Sequence, residues 1–345
     1  MRMRTSTGLF VMLLAGSGTG PGAAGCDPAG NVRFICDQIV PEDLFPVPGG
    51  EWVLSSGMGP NGAIRLIRIR DKSTTVLFPA ASAKIRPDTK TYPSCPGPID
   101  LSNREQFRAH GLYLRPGKGS VQTLYLVHHG SRESIEIFEF DGQAKPPVLT
   151  WIGCAVAPDR IWLNSVVGLP DGGFVTTNFS PIGQAPDLRA KIMAGTNNGE
   201  LWEWHTATGW QQVPGSSIPG PNGLEISPDG RWLYVGAWGS ESVVRLSRGQ
   251  TPVKRDSVPV GFRVDNIRWA PDGTMLAAGQ GGAEPSEASH VSRVNFTTMT
   301  ARELVRYPFS DTFTMGTVAI QVGRELWVGT YRGNRIAIFP ATPQN

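Results

Sequence analysis

The sequence predicts an all-β fold, a six-bladed β-propeller spanning residues 26–345. Three observations carry this expectation: a chain rich in turn residues, a turn-and-strand unit that recurs along it, and the spacing of that unit. Of 345 residues, 42 are Gly and 29 are Pro, and 40% are hydrophobic. Such a composition favours a packed, turn-rich β protein over a helical or disordered one. The unit consists of an apolar residue, a Pro/Gly/Asp turn, and a β-rich run ending in small residues. Six copies over about 300 residues give a period near 50, in the range of propeller blades. A four-stranded blade cannot bury both faces alone, so the blades must close into a ring.

The copies follow in order. Val47-Pro48-Gly49-Gly50 leads into residues 51–56, Arg115-Pro116-Gly117 into 123–127, and Leu169-Pro170-Asp171-Gly172-Gly173 into 174–177. Ser227-Pro228-Asp229-Gly230 leads into 232–236, Ala270-Pro271-Asp272-Gly273 into 274–277, and Val322-Gly323-Arg324 into 325–329. Each copy reads as a β-hairpin, with Pro or Gly-Asp in the turn and β-branched or aromatic residues in the strand. Further strand-like runs follow, such as 135–138 and 243–246. Three polar stretches stray from the pattern, 80–106, 181–199 and 281–289, and are expected as loops over one rim that could wall a substrate site.

Residues 1–25 read as an export signal. Arg2 and Arg4 form a basic start, residues 8–15 are apolar, and small residues follow up to Gly25. The apolar run is too short to anchor in a bilayer. Ala23-Ala24-Gly25-Cys26 also resembles a bacterial lipoprotein signal, although the usual Leu three residues before the Cys is missing. A membrane association would therefore rest on lipidation of Cys26; otherwise the protein is expected in the periplasm or secreted. In such a compartment Cys26, Cys36, Cys95 and Cys154 are expected to form disulfides, with three pairings possible. The net charge is +3, falling close to neutral without Arg2 and Arg4, and no basic run exists. Nucleic acid is excluded as a partner on electrostatic grounds.

Candidate site residues emerge six positions before each turn Pro. They are Glu42, His110, Asn164, Asn222 and Asp265, with Gly316 reached from Val322 in the sixth copy. The residues that follow them are Asp43, Gly111, Ser165, Gly223, Asn266 and Thr317. Six residues at about 3.3 Å each place these positions at the far end of each blade's innermost strand, which lines the channel. Rotation about the channel axis then brings them together at one mouth. Carboxylates gathered away from water need a cation or a proton to balance them. Oxygen donors from Glu42, Asp265, Asn164, Asn222 and Asn266 suit Ca²⁺; zinc would want His or Cys. A polar, water-filled channel is the alternative. His128 and His129 end the strand-like run 124–127 of the His110 blade, so one of them can reach His110. His205 and His290 read as structural or solvent-exposed. There is no G-x-S-x-G elbow, H-E-x-x-H, P-loop, or G-x-G-x-x-G following a strand.

With these residues assembled, the chain resembles the paraoxonase/arylesterase family, within the gluconolactonase-like and strictosidine-synthase-like six-bladed propellers. The resemblance runs from about Glu42 to Phe339. It rests on Pro41-Glu42-Asp43-Leu44, His110-Gly111-Leu112, residues 124–129, Asn164-Ser165-Val166, Pro221-Asn222-Gly223, Val264-Asp265-Asn266, and Gly316-Thr317-Val318 with Gly329-Thr330. It implies a catalytic calcium on Glu42, Asn164, Asn222, Asp265 and Asn266, and a histidine pair at His110 and His129. His128 stands where that family usually has Asn. A second, structural calcium is implied through Asp43, the backbone of Leu112 and an Asp; Ser165 stands in the place of that Asp, which puts the ion in doubt. The family also ties the two chain ends by a disulfide. No cysteine here lies near the C-terminus, so ring closure must rest on strand pairing. The implied activity is calcium-dependent hydrolysis of lactones or aryl esters: a metal-polarised carbonyl, His110 as base on water, and His129 orienting it. The alternatives are a non-enzymatic ligand- or protein-binding propeller with a structural calcium, or a sugar-lactonase or strictosidine-type enzyme.

Overall fold

A computed structural model describes residues 26–117, 119–181, 187–281 and 287–341. The export signal expected over residues 1–25 lies outside the described residues, as do residues 182–186 and 282–286 of two expected rim loops. Among the described residues six sheets, almost wholly antiparallel, follow one another along the chain, and in each the innermost strand leads directly into its second strand. The inner strands of blades 1 to 6 are Leu44–Pro46, Phe107–Arg115, Leu163–Gly168, Pro221–Ile226, Arg263–Trp269 and Gly316–Val322. Their partners are Trp52–Ser55, Val121–Gly130, Phe174–Asn178, Trp232–Ala237, Met275–Gln280 and Glu325–Thr330, the six runs that the turns announce. The hairpins turn as they do because Gly50, Gly173, Gly230, Gly273 and Gly323 take positive φ, which a side chain would penalise.

The hydrophobic alternation of each strand is answered across the gap between blades. Among the described residues there are six apolar clusters, one between each neighbouring pair. Leu54 of blade 1 meets Leu124 of blade 2 in one of them, and Ile320 of blade 6 meets Leu44 of blade 1 in another. The ring is closed by chain pairing, as expected. Strand Arg33–Ile35 supplies the outer strand of blade 6, antiparallel to Ile336–Pro340, with Phe34 opposite Ala337. Blade 6 thus draws on both ends of the described chain.

Of the three possible cysteine pairings the structure has Cys26–Cys36 and Cys95–Cys154. Two disulfides mark a protein of an oxidising compartment, periplasmic or extracellular. With the sulfur of Cys26 bonded to Cys36, the atom a lipid anchor would need is taken. No described helix is long and apolar enough to cross a membrane. The stretch 80–106 departs from a simple rim loop. Lys84–Ile85 adds a fifth, parallel strand to the outer edge of blade 2, beside Thr150 and Trp151. Tyr92 then packs in the cleft toward blade 3, stacked on Trp204. Residues 187–199 carry the short helix Leu188–Met193.

Candidate metal centre

A recurring irregularity aims the site residues. In blades 2 to 6 the register between the inner and second strands shifts at the same level, between Ala109 and Leu112, Leu163 and Val166, Pro221 and Leu224, Val264 and Ile267, and Gly316 and Ala319. Two inner-strand residues there oppose one partner, so the strand bends and re-aims both side chains. The bulged pairs are His110-Gly111, Asn164-Ser165, Asn222-Gly223 and Asp265-Asn266. In blade 1, Glu42-Asp43 stand just before the inner strand. In blade 6 the bulged pair is Thr317-Val318, one residue later than the count back from Val322 gives. The reason is the tight Gly323-Arg324 turn between the paired residues Val322 and Glu325; Ile226 pairs with Leu233 across a longer Pro-Asp-Gly loop. Adjacent bulges touch. A Cβ on Gly111 would sit 2.4 Å from the carbonyl oxygen of Asn164, and one on Gly223 2.6 Å from that of Asp265.

Glu42 meets both Asn266 and His110. Asn266 Nδ2 donates to Glu42 Oε1 at 2.6 Å. Gln280 Nε2 donates to Asp265 Oδ2 and to the Gly316 carbonyl at 3.1 Å. Glu42, Asn222, Asp265, Asn266 and His110 are all buried. Burial pushes Glu42 up to about 7, opposed by the Asn266 hydrogen bond and by Arg268. Burial, with the neighbouring Glu42, holds Asp265 well above the usual carboxylate range. Four buried oxygens, Glu42 Oε2, Asn164 Oδ1, Asn222 Oδ1 and Asn266 Oδ1, have no hydrogen-bond partner. A buried acceptor left unmade costs about 1–3 kcal/mol. Orphaned acceptors from four blades beside two proton-hungry carboxylates fit one hard divalent cation. Among the described residues no three His, Cys, Asp or Glu side chains gather for a metal, so the donor set is amide-rich and unlike a zinc site.

A histidine chain borders this mouth. His110 Nε2 lies 3.5 Å from Glu42 Oε2. His110 Nδ1 is 2.8 Å from His129 Nε2, and His129 Nδ1 is 2.8 Å from Glu133 Oε2. Burial lowers His110 to about 4, so its imidazole is neutral near pH 7, and burial lowers His129 as well. His128, next along the strand, points the other way, to the Arg132 carbonyl at 3.0 Å and against the Phe107 ring. His205 meets Glu203 and His290 stacks on Phe262, both structural settings.

The second buried ion does not fit. Arg268 stands in the place where it would bind. Its guanidinium bonds Asp43 Oδ2, the Leu112 carbonyl at 3.0 Å and the Leu44 carbonyl at 3.1 Å, and reaches Glu225 Oε1 at 3.4 Å. Asp43 Oδ2 also accepts the Leu112 N–H at 2.8 Å, and the Ser165 hydroxyl accepts the Leu224 N–H. Asp43 and the Leu112 backbone therefore hold an arginine. Burial raises Asp43 to about 6 and Glu225 to about 7, with Arg268 opposing both shifts. Counting three residues on from Glu42, His110, Asn164, Asn222, Asp265 and Gly316 gives Phe45, Tyr113, Val167, Glu225, Arg268 and Ala319, an acid and a base on adjacent blades among aromatic and apolar residues. That signal was present in the repeat, as was the acid Glu133 four residues after His129; Gln280 carries no sequence signal.

No protein-family model matches the sequence, and no curated protein matches it. Solved structures match in fold. A luciferin-regenerating enzyme superposes with a TM-score of 0.55 at 13% identity, covering 89% of this chain and 94% of that one. A putative gluconolactonase gives 0.52 at 15%, covering 92% and 94%. The calcium-binding protein regucalcin from Agrobacterium tumefaciens gives 0.52 at 13%, covering 89% and 92%. The chain shares the fold of the gluconolactonase- and regucalcin-like six-bladed propellers.

Proposed function

We propose that the protein is a calcium-dependent hydrolase of lactones or carboxylic esters, including aryl esters. The observation that supports it most is the set of four partnerless buried oxygens, Glu42 Oε2, Asn164 Oδ1, Asn222 Oδ1 and Asn266 Oδ1, beside a neutral histidine. Glu42, Asn164, Asn222, Asp265 and Asn266 would hold the ion, which when bound supplies Lewis-acid polarisation of a substrate carbonyl. His110, neutral and 3.5 Å from Glu42, takes the proton of the attacking water through Nε2. His129 orients His110 and shares the charge that forms. The buried walls at this mouth exclude bulk water, which strengthens each of these interactions. The fold neighbours, among them a putative gluconolactonase and a calcium-binding protein, agree with lactonase-type chemistry.

The test is turnover of phenyl acetate and simple lactones by purified protein, with and without chelator. Hydrolysis lost on chelation and restored by Ca²⁺ is the expected result. Absence of turnover, with chelator still lowering the melting temperature, would instead identify a binding propeller with a structural ion. Within the hydrolase, Asp265→Asn should reduce Ca²⁺ affinity and kcat/KM together, the latter by about 100-fold or more. His110→Gln should lower kcat by about 10²–10⁴-fold while leaving Ca²⁺ binding intact.

A further inference from the structure

Glu133 lies outside the ligand set and outside the histidine pair, yet it is bonded into both surroundings. It sits in the turn between Val121–Gly130 and Ser134–Asp141. The turn is fixed by Arg132, whose guanidinium grips buried Glu136 at 2.9 and 3.0 Å and the Gly97 carbonyl at 2.9 Å. The Glu133 carbonyl accepts the Ala157 N–H at 2.9 Å. Its two carboxylate oxygens have separate tasks: Oε1 accepts the N–H of Leu163 at 2.7 Å, immediately before Asn164, and Oε2 meets His129 Nδ1 at 2.8 Å.

This arrangement dictates where two protons reside. A carboxylate only accepts, so the His129 proton is on Nδ1 and His129 Nε2 is a lone pair. That lone pair faces His110 Nδ1 at 2.8 Å, so the His110 proton is on Nδ1. His110 Nε2, the atom toward Glu42, is then left as the free base. The order reads Glu133, His129, His110, with each hydrogen bond setting the next. We infer that Glu133 is a positioning residue that selects, through His129, the His110 tautomer able to accept a proton at the metal mouth. This rests on the hydrolase reading for its kinetic consequence, but the tautomers themselves do not depend on that reading.

Glu133→Gln tests it with almost no change of shape. The Gln oxygen must still accept the Leu163 N–H, so its NH₂ faces His129 Nδ1. His129 then carries its proton on Nε2, His110 Nδ1 becomes the acceptor, and His110 Nε2 is protonated and useless as a base. Nitrogen NMR of the imidazoles in chelator-treated protein, assigned with single His→Gln variants, reads this directly. The expected result is Nδ1–H on both histidines in the wild type and Nε2–H on both in Glu133→Gln. In turnover assays kcat should fall about 10–100-fold with KM and melting temperature little changed, and Glu133→Asp should recover part of it. Wild-type protein with His129 protonated on Nε2 would overturn the inference without any variant. So would unchanged tautomers in Glu133→Gln. A wild type that hydrolyses nothing, with the tautomers as stated, would sink the hydrolase reading and leave the assignment of Glu133 standing.

Discussion

Arg268 places its charge among Asp43 and the carbonyls of Leu112 and Leu44. It is 1% exposed and joins groups from blades 1, 2 and 4 to its own. Asp43, which accepts from Leu112, Leu44 and Arg268, is the natural bearer of the negative charge. Removing the cation strands buried carboxylates, so Arg268→Met should cost about 3–5 kcal/mol in urea denaturation, even with Ca²⁺ in excess. Glu225 is the proton-holding partner. Its folded value, about 7, exceeds that of the unfolded chain, near 4.3. The native state therefore keeps a proton that the unfolded state has released, and this contribution, full below about pH 4.5, is lost as pH rises through 7. Glu225→Gln mimics the protonated form. Its melting temperature should match the wild type near pH 5 and exceed it near pH 8.5; an equal gap at both would remove Glu225 as the titrating group. The site oxygens were legible in the sequence because rotation maps one repeat position onto one place. The Arg268 plug was written in the same repeat, but whether those positions face the axis or a neighbouring blade depends on the bulge, which sequence spacing does not reveal.

At the level of the strand, the bulge converts a regular ladder into a site. Without it, alternation would send Asp265 and Asn266 to opposite faces of the sheet; with it, both serve one mouth. The glycines beside the bulges are there for contact between blades. Gly223→Ala would place a Cβ 2.5 Å from Asn266 Cα, forcing the Asp265-Asn266 segment outward. Calorimetric titration should show weakened Ca²⁺ binding in this variant, and binding at wild-type affinity would mean that the neighbouring blade yields freely. The second strands were readable from turn chemistry and β-branched runs, and they appear where expected. The strand Lys84–Ile85 was not readable, because it is fixed by pairing with Thr150 and Trp151 far along the chain rather than by any local pattern.

Across the whole molecule, stability is shared among six cores that lie between blades, so each blade depends on two neighbours. The disulfides act on different spans. Cys95–Cys154 closes 59 residues and Cys26–Cys36 only 10. Loop-closure entropy alone assigns about 4 kcal/mol to the former and about 3 kcal/mol to the latter. Removing Cys95–Cys154 by paired Ser substitutions should therefore cost more in equilibrium unfolding. The opposite order would show that Cys26–Cys36 matters chiefly by holding the closing strand.

That closing strand has a consequence for biogenesis. Arg33–Ile35 leaves the ribosome roughly three hundred residues before Ile336–Pro340, the segment it must pair with. Until then the growing chain is an open arc with two bare flanks. Closure of the ring thus waits until Ile336–Pro340 has been made, and any product truncated before it announces itself by an unsealed seam that chaperones and proteases can recognise.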